Sequence, residues 1–296
     1  AARRGSTHQS VEEATGVAQQ LRSSDKTRIC QQGTWTPKGV AARLVFGSCS
    51  DAGCSMDGSA KTNQDSFISA VPHAYGSTAL FAVFDGHGVH GHLVSRQAMA
   101  EFGKLLHSQQ LRLPSIKQAL VAAYNEQDQL ACAAVDCSQS GTTAVTCYLK
   151  ASASTGSITC HAGWAGDSRA VLGVVRRDGQ LSALDLTLDH KPERPDEKVR
   201  IERSGGRIEA VQDERGQPAG PMRVWYIPQV APGLAMTRSI GDAVGAMVGV
   251  TPEPEVSERV LQRRTRCWWS RPTVYGSSSP RSKPSPSSLT RSVVRP

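Results

Sequence analysis

The stretch Phe-Ala-Val-Phe-Asp-Gly-His-Gly-Val-His-Gly-His-Leu-Val-Ser, residues 81–95, decides the fold expected for this chain. Its first four residues continue an apolar run that begins at Ala79, and this run predicts a short buried strand. Asp85 and Gly86 end the strand, and a glycine at this point allows backbone to approach a ligand closely. His87 comes two residues after Asp85, and the ordinary histidine pKa of about 6.5 suits proton transfer.

Two amphipathic helices are predicted after this strand. Apolar residues recur at helical spacing over 92–107, at Val94, Ala98 and Phe102 among others. The same spacing recurs from Ile116 to Leu130. Each pattern predicts a helix with one face turned towards a core.

Three more apolar runs, at 144–150, 157–164 and 168–175, predict further strands. The last two flank Ala165-Gly166-Asp167, for which we predict a tight hairpin turn. A further helix is predicted to begin at Pro195. Strands in neighbouring hairpins, with helices inserted between them, favour an α+β layered domain over repeated βαβ units.

The charge of the chain is concentrated at one end. The net charge is +8, but residues 259–296 contain nine Lys or Arg and no Asp or Glu, and the remainder is close to neutral. A basic tail is not a basic patch on a folded domain, so we do not expect nucleic-acid binding. We predict a polar N-terminal extension over 1–40, an incomplete folded domain over 41–258, and a disordered tail, rich in Ser, Pro and Arg, over 259–296.

Composition also bears on location and redox state. No run of 18 apolar residues is present, so we expect no membrane span. The first residues lack the apolar segment of a secretory signal, and we expect a soluble intracellular protein of the cytoplasm or nucleus, monomeric. The eight cysteines are dispersed, which favours buried free thiols over a zinc site.

Acidic residues recur at the ends of predicted strands. Asp65 stands in Asn63-Gln64-Asp65, Asp167 follows Gly166, and Asp242 follows Gly241. Taken singly, Asp167 and Asp242 favour a role in turn formation over a functional one. Several such corners together supply the oxygen ligands that Mg²⁺ or Mn²⁺ requires.

The histidines offer an alternative site. His87, His90 and His92 suggest a zinc hydrolase with nitrogen ligands. Their spacing fits known zinc patterns poorly, and surface or helix-capping roles suit His90 and His92 better.

Six blocks in order along the chain carry a family resemblance. They are KTNQDSF (61–67), FAVFDGHGVHGHLVS (81–95), SGTTAV (140–145), HAGWAGDSRAVL (161–172), LDHKPERPDEKVRIERSGG (188–206) and PGLAMTRSIGD (232–242). In sequence and order they resemble the PP2C (PPM) family of metal-dependent protein serine/threonine phosphatases.

This resemblance implies a fold and an activity. The fold would be a four-layer α-β-β-α sandwich, in which two antiparallel sheets are flanked by helices. The activity would be hydrolysis of phosphoserine or phosphothreonine in phosphorylated protein substrates, by water activated at two bound Mg²⁺ or Mn²⁺ ions.

The resemblance also assigns roles to individual residues. Asp85 matches the aspartate that bridges two ions, and the Gly86 carbonyl matches a ligand of the second ion. Asp65 matches an acidic residue that holds ions through water, and Asp167 one linked to a weaker metal site. His87 matches the proposed general acid.

Three further residues take lesser roles by the same comparison. Thr143 matches a residue that supports the metal ligands, and Asp242 lies in a motif with a supporting role. Where the family often has a phosphate-binding arginine, this chain has Ala60, and the neighbouring Lys61 would supply the positive charge instead.

The sequence departs from the family near its end. Two metal-binding aspartates are expected after Val256, but no aspartate follows Asp242. Reading the nucleotides for residues 267–278 one base earlier permits a family-like Ser-Asp-Gly-Val-Trp-Glu segment. We therefore hypothesise a frame change between Glu258 and Arg266, and we expect this chain to be weakly active or inactive. The alternative is a pseudophosphatase that binds phosphoproteins without hydrolysing them.

Overall fold

The structure, a computed structural model, describes residues 28–53, 58–59, 61–70, 73–227, 231–261, 265–270 and 292–295. The strands in these ranges, in chain order, are β1 (Arg28–Trp35), β2 (Leu44–Asp51), β3 (Asp65–Ala70), β4 (Thr78–His87), β5 (Gly141–Thr142), β6 (Ala144–Ser152), β7 (Ser157–Ala165), β8 (Arg169–Val175), β9 (Leu181–Asp185), β10 (Arg207–Gln212), β11 (Pro218–Tyr226), β12 (Ala231–Leu234), β13 (Ile240–Gly241), β14 (Glu255–Leu261), β15 (Thr265–Ser270) and β16 (Ser292–Arg295). The helices are α1 (Gly91–Arg112), α2 (Ile116–Ala134), α3 (Pro195–Arg203) and α4 (Ala243–Ala246).

Two large antiparallel sheets form the body of the domain. One has the order β13-β5-β4-β6-β7-β14, with β3 paired to β4, and the other has the order β1-β2-β16-β15-β8-β9. A small third sheet contains β10, β11 and β12. The α+β class and the PP2C-like pair of packed sheets are thereby confirmed.

The strand β4 is buried on both faces. Phe81 and Val83 point into the core between the two sheets, where the Phe81 ring meets Phe46 at 5.3 Å. Leu80 and Phe84 point the other way, into the core beneath the helices. A strand covered on both sides reads as a continuous apolar run, so the sequence predicted it correctly.

The helices α1 and α2 cover the outer face of the first sheet. The predicted residues Val94, Ala98 and Phe102 are fully buried there. In α2 the pattern was wrong at one position, because Leu130 is 38% exposed and the next residue, Ala131, is buried instead. Neither these helices nor any other helix in the described ranges has the length and apolarity needed to cross a bilayer.

The hairpin predicted around Gly166 is wrong. β7 and β8 belong to different sheets, so residues 166–168 carry the chain from one sheet to the other. Gly166 faces His190 and not a hairpin partner. The Gly166 N–H donates to the His190 ring Nδ1 at 3.1 Å, and the His190 N–H donates to the Gly166 carbonyl at 3.0 Å. This long-range partner could not be seen from the local turn pattern.

The structure also differs from the predicted end segments. β1 lies inside the predicted extension 1–40 and pairs with β2 along its whole length. β14 continues to Leu261, and β15 and β16 lie between β8 and β2, where the sequence predicted disorder and missing strands. Short β-favouring runs, Thr265–Ser270 and Ser292–Arg295, are hidden within a Ser- and Pro-rich composition.

The prediction that the cysteines are free thiols holds for only some of those that the structure describes. Cys30 and Cys49 are register partners on β1 and β2 and form a disulfide. The free cysteines among the described side chains are Cys132, Cys137, Cys147 and Cys160.

His73 makes the stability of the fold depend on pH. The ring is buried against Tyr148 and His107, and burial together with repulsion from His107 lowers the pKa of His73 to about 4. Between pH 6.5 and 4, His73 is protonated in the unfolded chain but neutral in the folded chain, so the free energy of unfolding falls as the pH falls. We expect His73→Gln to flatten this fall by up to about 1.4 kcal/mol per pH unit.

Urea unfolding at several pH values checks this expectation. His90→Gln serves as the control, because His90 lies at the start of α1, outside the buried cluster. Equal slopes for His73→Gln and the wild type would contradict the assignment.

Candidate functional site

The end of β4 is shaped by a glycine that no other residue can replace without movement. A Cβ on Gly86 would lie 2.4 Å from the Gly91 carbonyl oxygen and 2.6 Å from that of Gln64. The Gly86 N–H donates to the same Gln64 oxygen at 3.1 Å. Three backbone segments therefore meet at Gly86, and they fix the positions of Asp85 and His87 on either side.

Asp65 and Asp85 lie directly opposite each other on β3 and β4. Side chains of directly opposite residues in an antiparallel pair share one face of the sheet, and like charges placed there are destabilising. A divalent cation would relieve this repulsion. The pair is thus a feature that oxygen-ligated Mg²⁺ or Mn²⁺ would explain.

His87 is held by Asp242, which is 155 residues away in sequence. The His87 Nε2 lies 2.6 Å from Asp242 Oδ2, and the Ser239 hydroxyl donates to the same oxygen at 2.5 Å. Asp242 is fully buried and adopts φ +53°. A Cβ on Gly141 would lie 2.4 Å from Asp242 Oδ2, so Gly141 provides the space for this carboxylate.

The electrostatic surroundings favour a charged His87. Burial by itself lowers the pKa of the ring, but Asp242, Asp85 and Asp167 outweigh burial, and the pKa of His87 is raised above its ordinary value. The side chain remains 21% exposed, and its Nδ1 has no hydrogen-bond partner among the described residues.

Thr143 connects Asp85 to the turn between the sheets. Its N–H donates to the Asp85 carbonyl at 3.0 Å, and its hydroxyl lies 2.6 Å from the Ser168 hydroxyl. Asp167 is almost completely buried in this turn and forms an ion pair with Lys191. The structure therefore brings Thr143 and Asp167 to the same end of the sheets as Asp85.

A cleft of about 340 Å³ opens at this end of the domain. Its lining consists of Asp85, His87, Gly88, Gln139, Thr143, Asp167, Arg223, Pro232, Gly233, Leu234, Ala235 and Met236. Lys61, the predicted phosphate-binding residue, is exposed and is not part of this lining, and neither is Asp65.

The sequence missed two cations at the cleft. Lys191 pairs with Asp167 and also donates to the Ala235 carbonyl at 3.3 Å. Arg223 reaches the cleft from β11 of the small sheet. The block around Lys191 was recognised without assigning it a role, and no local pattern marks Arg223.

The zinc alternative gains no support from the described part of the chain. His87 uses its Nε2 to meet Asp242, and the rings of His90 and His92 do not join it in a group of close ligand atoms. His90 stands at the N-terminus of α1, although its side chain makes no capping hydrogen bond.

A second acidic cluster lies away from the cleft. Within the described ranges, His190, Glu197 and Glu255 are the side chains that bring three potential metal-binding atoms within 4.8 Å of one another. Arginines already neutralise this cluster: Arg200 and Arg238 each approach Glu197 to 2.7 Å, and Arg194 pairs with Glu255. A network with this much positive charge is suited to structure and not to a divalent cation.

Burial and these arginines also set the protonation states. Burial raises the pKa of Glu197, but hydrogen bonds from Arg200, Arg238 and Thr237 outweigh it and hold the pKa well below its usual range. Burial, with repulsion from Arg238, lowers the pKa of His190 to about 4, so this ring is neutral near pH 7.

Comparison with known proteins shows which protein family the chain belongs to. The family model described as "Protein phosphatase 2C" matches residues 49–267. The chain therefore belongs to the protein phosphatase 2C family.

Individual relatives agree with this placement. The chain is similar to "Probable protein phosphatase 2C 12" of Oryza sativa subsp. japonica, with 47% identity over 125 residues, which cover 42% of this chain and 30% of the rice protein. It is also similar to "Probable protein phosphatase 2C 72" of Arabidopsis thaliana, with 33% identity over 228 residues, covering 69% and 62%. The chain spans less than two thirds of the length of these relatives.

Solved structures agree at the level of the fold. The crystal structure of serine-threonine phosphatase 2C from Toxoplasma gondii superposes with a TM-score of 0.61 at 22% identity, covering 82% of each chain. A C. elegans sex determining protein superposes with a TM-score of 0.56, covering 70% of this chain and 48% of the other.

The buried Glu197 network predicts a large stability difference within one helix. Removing a buried partner leaves its cations unpaired, so we expect Glu197→Ala to lower the free energy of unfolding by about 3–5 kcal/mol. Glu202→Ala in the same helix is the matched control, because Glu202 is half exposed and lies 3.6 Å from Lys198. That loss should stay below about 0.5 kcal/mol.

Urea unfolding of both variants, with and without Mn²⁺ or Zn²⁺, checks the expectation. Stabilisation of the wild type by metal that is lost specifically in Glu197→Ala would show instead that this cluster is a metal site.

Proposed function

We propose that this domain hydrolyses phosphoserine and phosphothreonine in phosphorylated proteins by a metal-dependent mechanism, and that this activity is impaired in the present chain. One observation carries the proposal: a strand buried on both faces ends at residues 85–87, and from this end Asp85 and His87 line a cleft that also contains Asp167. Family membership supports the same reaction class.

We propose that the site binds two Mg²⁺ or Mn²⁺ ions, because its candidate ligands are oxygen atoms. Asp85 and the Gly86 carbonyl would hold them, with Asp65 opposite Asp85 and Asp167 across the cleft. When bound, the ions would supply an acidified water and neutralise charge on the phosphoryl oxygens. Thr143 would keep Asp85 in place through its backbone and hydroxyl hydrogen bonds.

His87 would donate the proton that the departing serine or threonine oxygen needs. A general acid must be held in one orientation within reach of the leaving group. Asp242 would supply that orientation by accepting a hydrogen bond from Nε2.

Two observations support impairment. Residues 243–296 contain no aspartate, whereas the family resemblance leads one to expect metal-binding carboxylates soon after Val256. Asp167 is moreover engaged by Lys191, which competes with a cation for the same carboxylate. The same observations favour, as a second candidate, a domain that binds phosphoproteins without hydrolysing them.

Asp85→Asn tests the metal-dependent reaction. We expect slow Mn²⁺-dependent phosphate release from a phosphothreonine peptide by the wild type, and a loss of at least about 100-fold in the variant, since the developing charge loses its preorganised stabilisation. Asp178→Asn, an exposed loop aspartate, is the matched control and should retain the activity of the wild type.

Mn²⁺ binding measured by calorimetry gives a second readout. Asp85→Asn should bind Mn²⁺ at least about 10-fold more weakly than Asp178→Asn, corresponding to about 1.4 kcal/mol. Phosphopeptide binding with no release of phosphate would favour the second candidate.

Asp242→Asn tests how His87 is positioned. The amide cannot offer the same charged acceptor, so the ring loses its anchor, and we expect kcat to fall about 10²–10⁴-fold with little change in KM. Ser239→Ala removes only one hydrogen bond to Asp242 and should have a smaller effect. Unchanged kcat in Asp242→Asn would argue against His87 as the proton donor.

A further inference from the structure

The cleft has an unusual charge balance. Among its described lining residues Asp85 and Asp167 are acidic, and Arg223 is the basic one apart from the histidine. A phosphoryl dianion placed beside carboxylates needs a nearby cation that is not already committed. The question is therefore which cation can meet it.

Two other cations close to this end of the domain are paired. Lys191 is engaged by Asp167, and Arg238 by Glu197. Arg223 forms no ion pair with any residue that the structure describes. Its guanidinium is steered by an uncharged group instead: Nη1 donates to the Gly233 carbonyl at 2.6 Å.

The backbone around Arg223 fixes where this cation lies. β11 pairs with β10 through Arg223 and Glu209, and with β12 through the neighbouring pair Val224 and Leu234. Val224 is fully buried in a small core with Leu234, whereas Arg223 is half-buried and alternates to the other face. The strand therefore presents Arg223 to the cleft wall formed by residues 232–236.

We propose that Arg223 binds the phosphoryl group of the substrate from the small sheet, on the wall of the cleft formed by β11 and β12. This inference rests on the proposed function, because it assigns a substrate-binding residue to the same cleft. An arginine offers five N–H donors in a planar fork that matches phosphate oxygens. One donor is used by Gly233, and the others remain for the ligand.

The consequence is specificity for phosphorylated peptides. Lys61, which the resemblance suggests for this role, is exposed and lies outside the cleft lining. Arg223 supplies the positive charge from a separate sheet, so recognition of phosphate depends on the small sheet holding Arg223 in the cleft lining.

The test is binding of one phosphothreonine peptide and its unphosphorylated counterpart, measured by fluorescence anisotropy with Mn²⁺ present. Arg223→Gln keeps a donor for the Gly233 carbonyl but removes the charge, and Arg223→Lys keeps the charge but loses the fork. We expect Arg223→Gln to raise the Kd of the phosphopeptide at least about 10-fold, and Arg223→Lys to restore part of that loss. Arg215→Ala, exposed in the turn of the same hairpin, is the matched control.

The outcomes separate this inference from the proposed function. Phosphate-dependent binding that is lost in Arg223→Gln, with no hydrolysis by the wild type, supports Arg223 and overturns catalysis. Hydrolysis with the same KM in Arg223→Gln and Arg215→Ala supports catalysis and overturns Arg223. Absence of phosphate-dependent binding in the wild type, or equal loss for both peptides in the variant, also overturns the role of Arg223.

Discussion

Burial of β4 on both faces, ending at a glycine, is the constraint on which the rest of the structure depends. The strand contributes Phe81 to the core between the sheets and Phe84 to the core beneath the helices, so it can shift towards neither. Its end is fixed at Gly86, because the backbones of Gln64 and Gly91 pack so closely there that a side chain would not fit. Asp85 and His87 take their positions from this packing and not from the loop that follows.

The segment that leads into Asp242 is held by a buried network of paired charges. Glu197, buried in α3, pairs with Arg200 and Arg238, and its carboxylate also accepts a hydrogen bond from the Thr237 hydroxyl. Thr237 in turn donates its N–H to the His190 carbonyl at 2.9 Å. A buried ion network is costly to break, because the partner that remains is left charged and desolvated. This network therefore fixes the segment that leads directly into Asp242.

Local patterns predicted the parts of the fold that local physics determines. The apolar run of β4 and the helical spacing of Val94, Ala98 and Phe102 are visible within a few residues, because one face or both faces must be covered. The turn at Gly166 was predicted wrongly for the complementary reason. A glycine next to an aspartate marks a turn, but only the distant His190 and Thr143 decide that the chain changes sheets there.

The candidate site likewise contains residues that local motifs predicted and contacts that depend on distant parts of the chain. Asp65, Asp85, Asp167 and Thr143 were found from motifs, and they lie at one end of the sheets, although their roles remain predictions. The contact between His87 and Asp242 spans 155 residues, and Arg223 lines the cleft from a different sheet than Asp85 does. Such long-range contacts cannot be predicted from the composition of the chain. In an acidic cleft of this kind, the candidate metal-binding residues can be predicted from sequence motifs. Residues that meet an anion need only a charge at the right place in space, so they can come from any strand that the fold brings near.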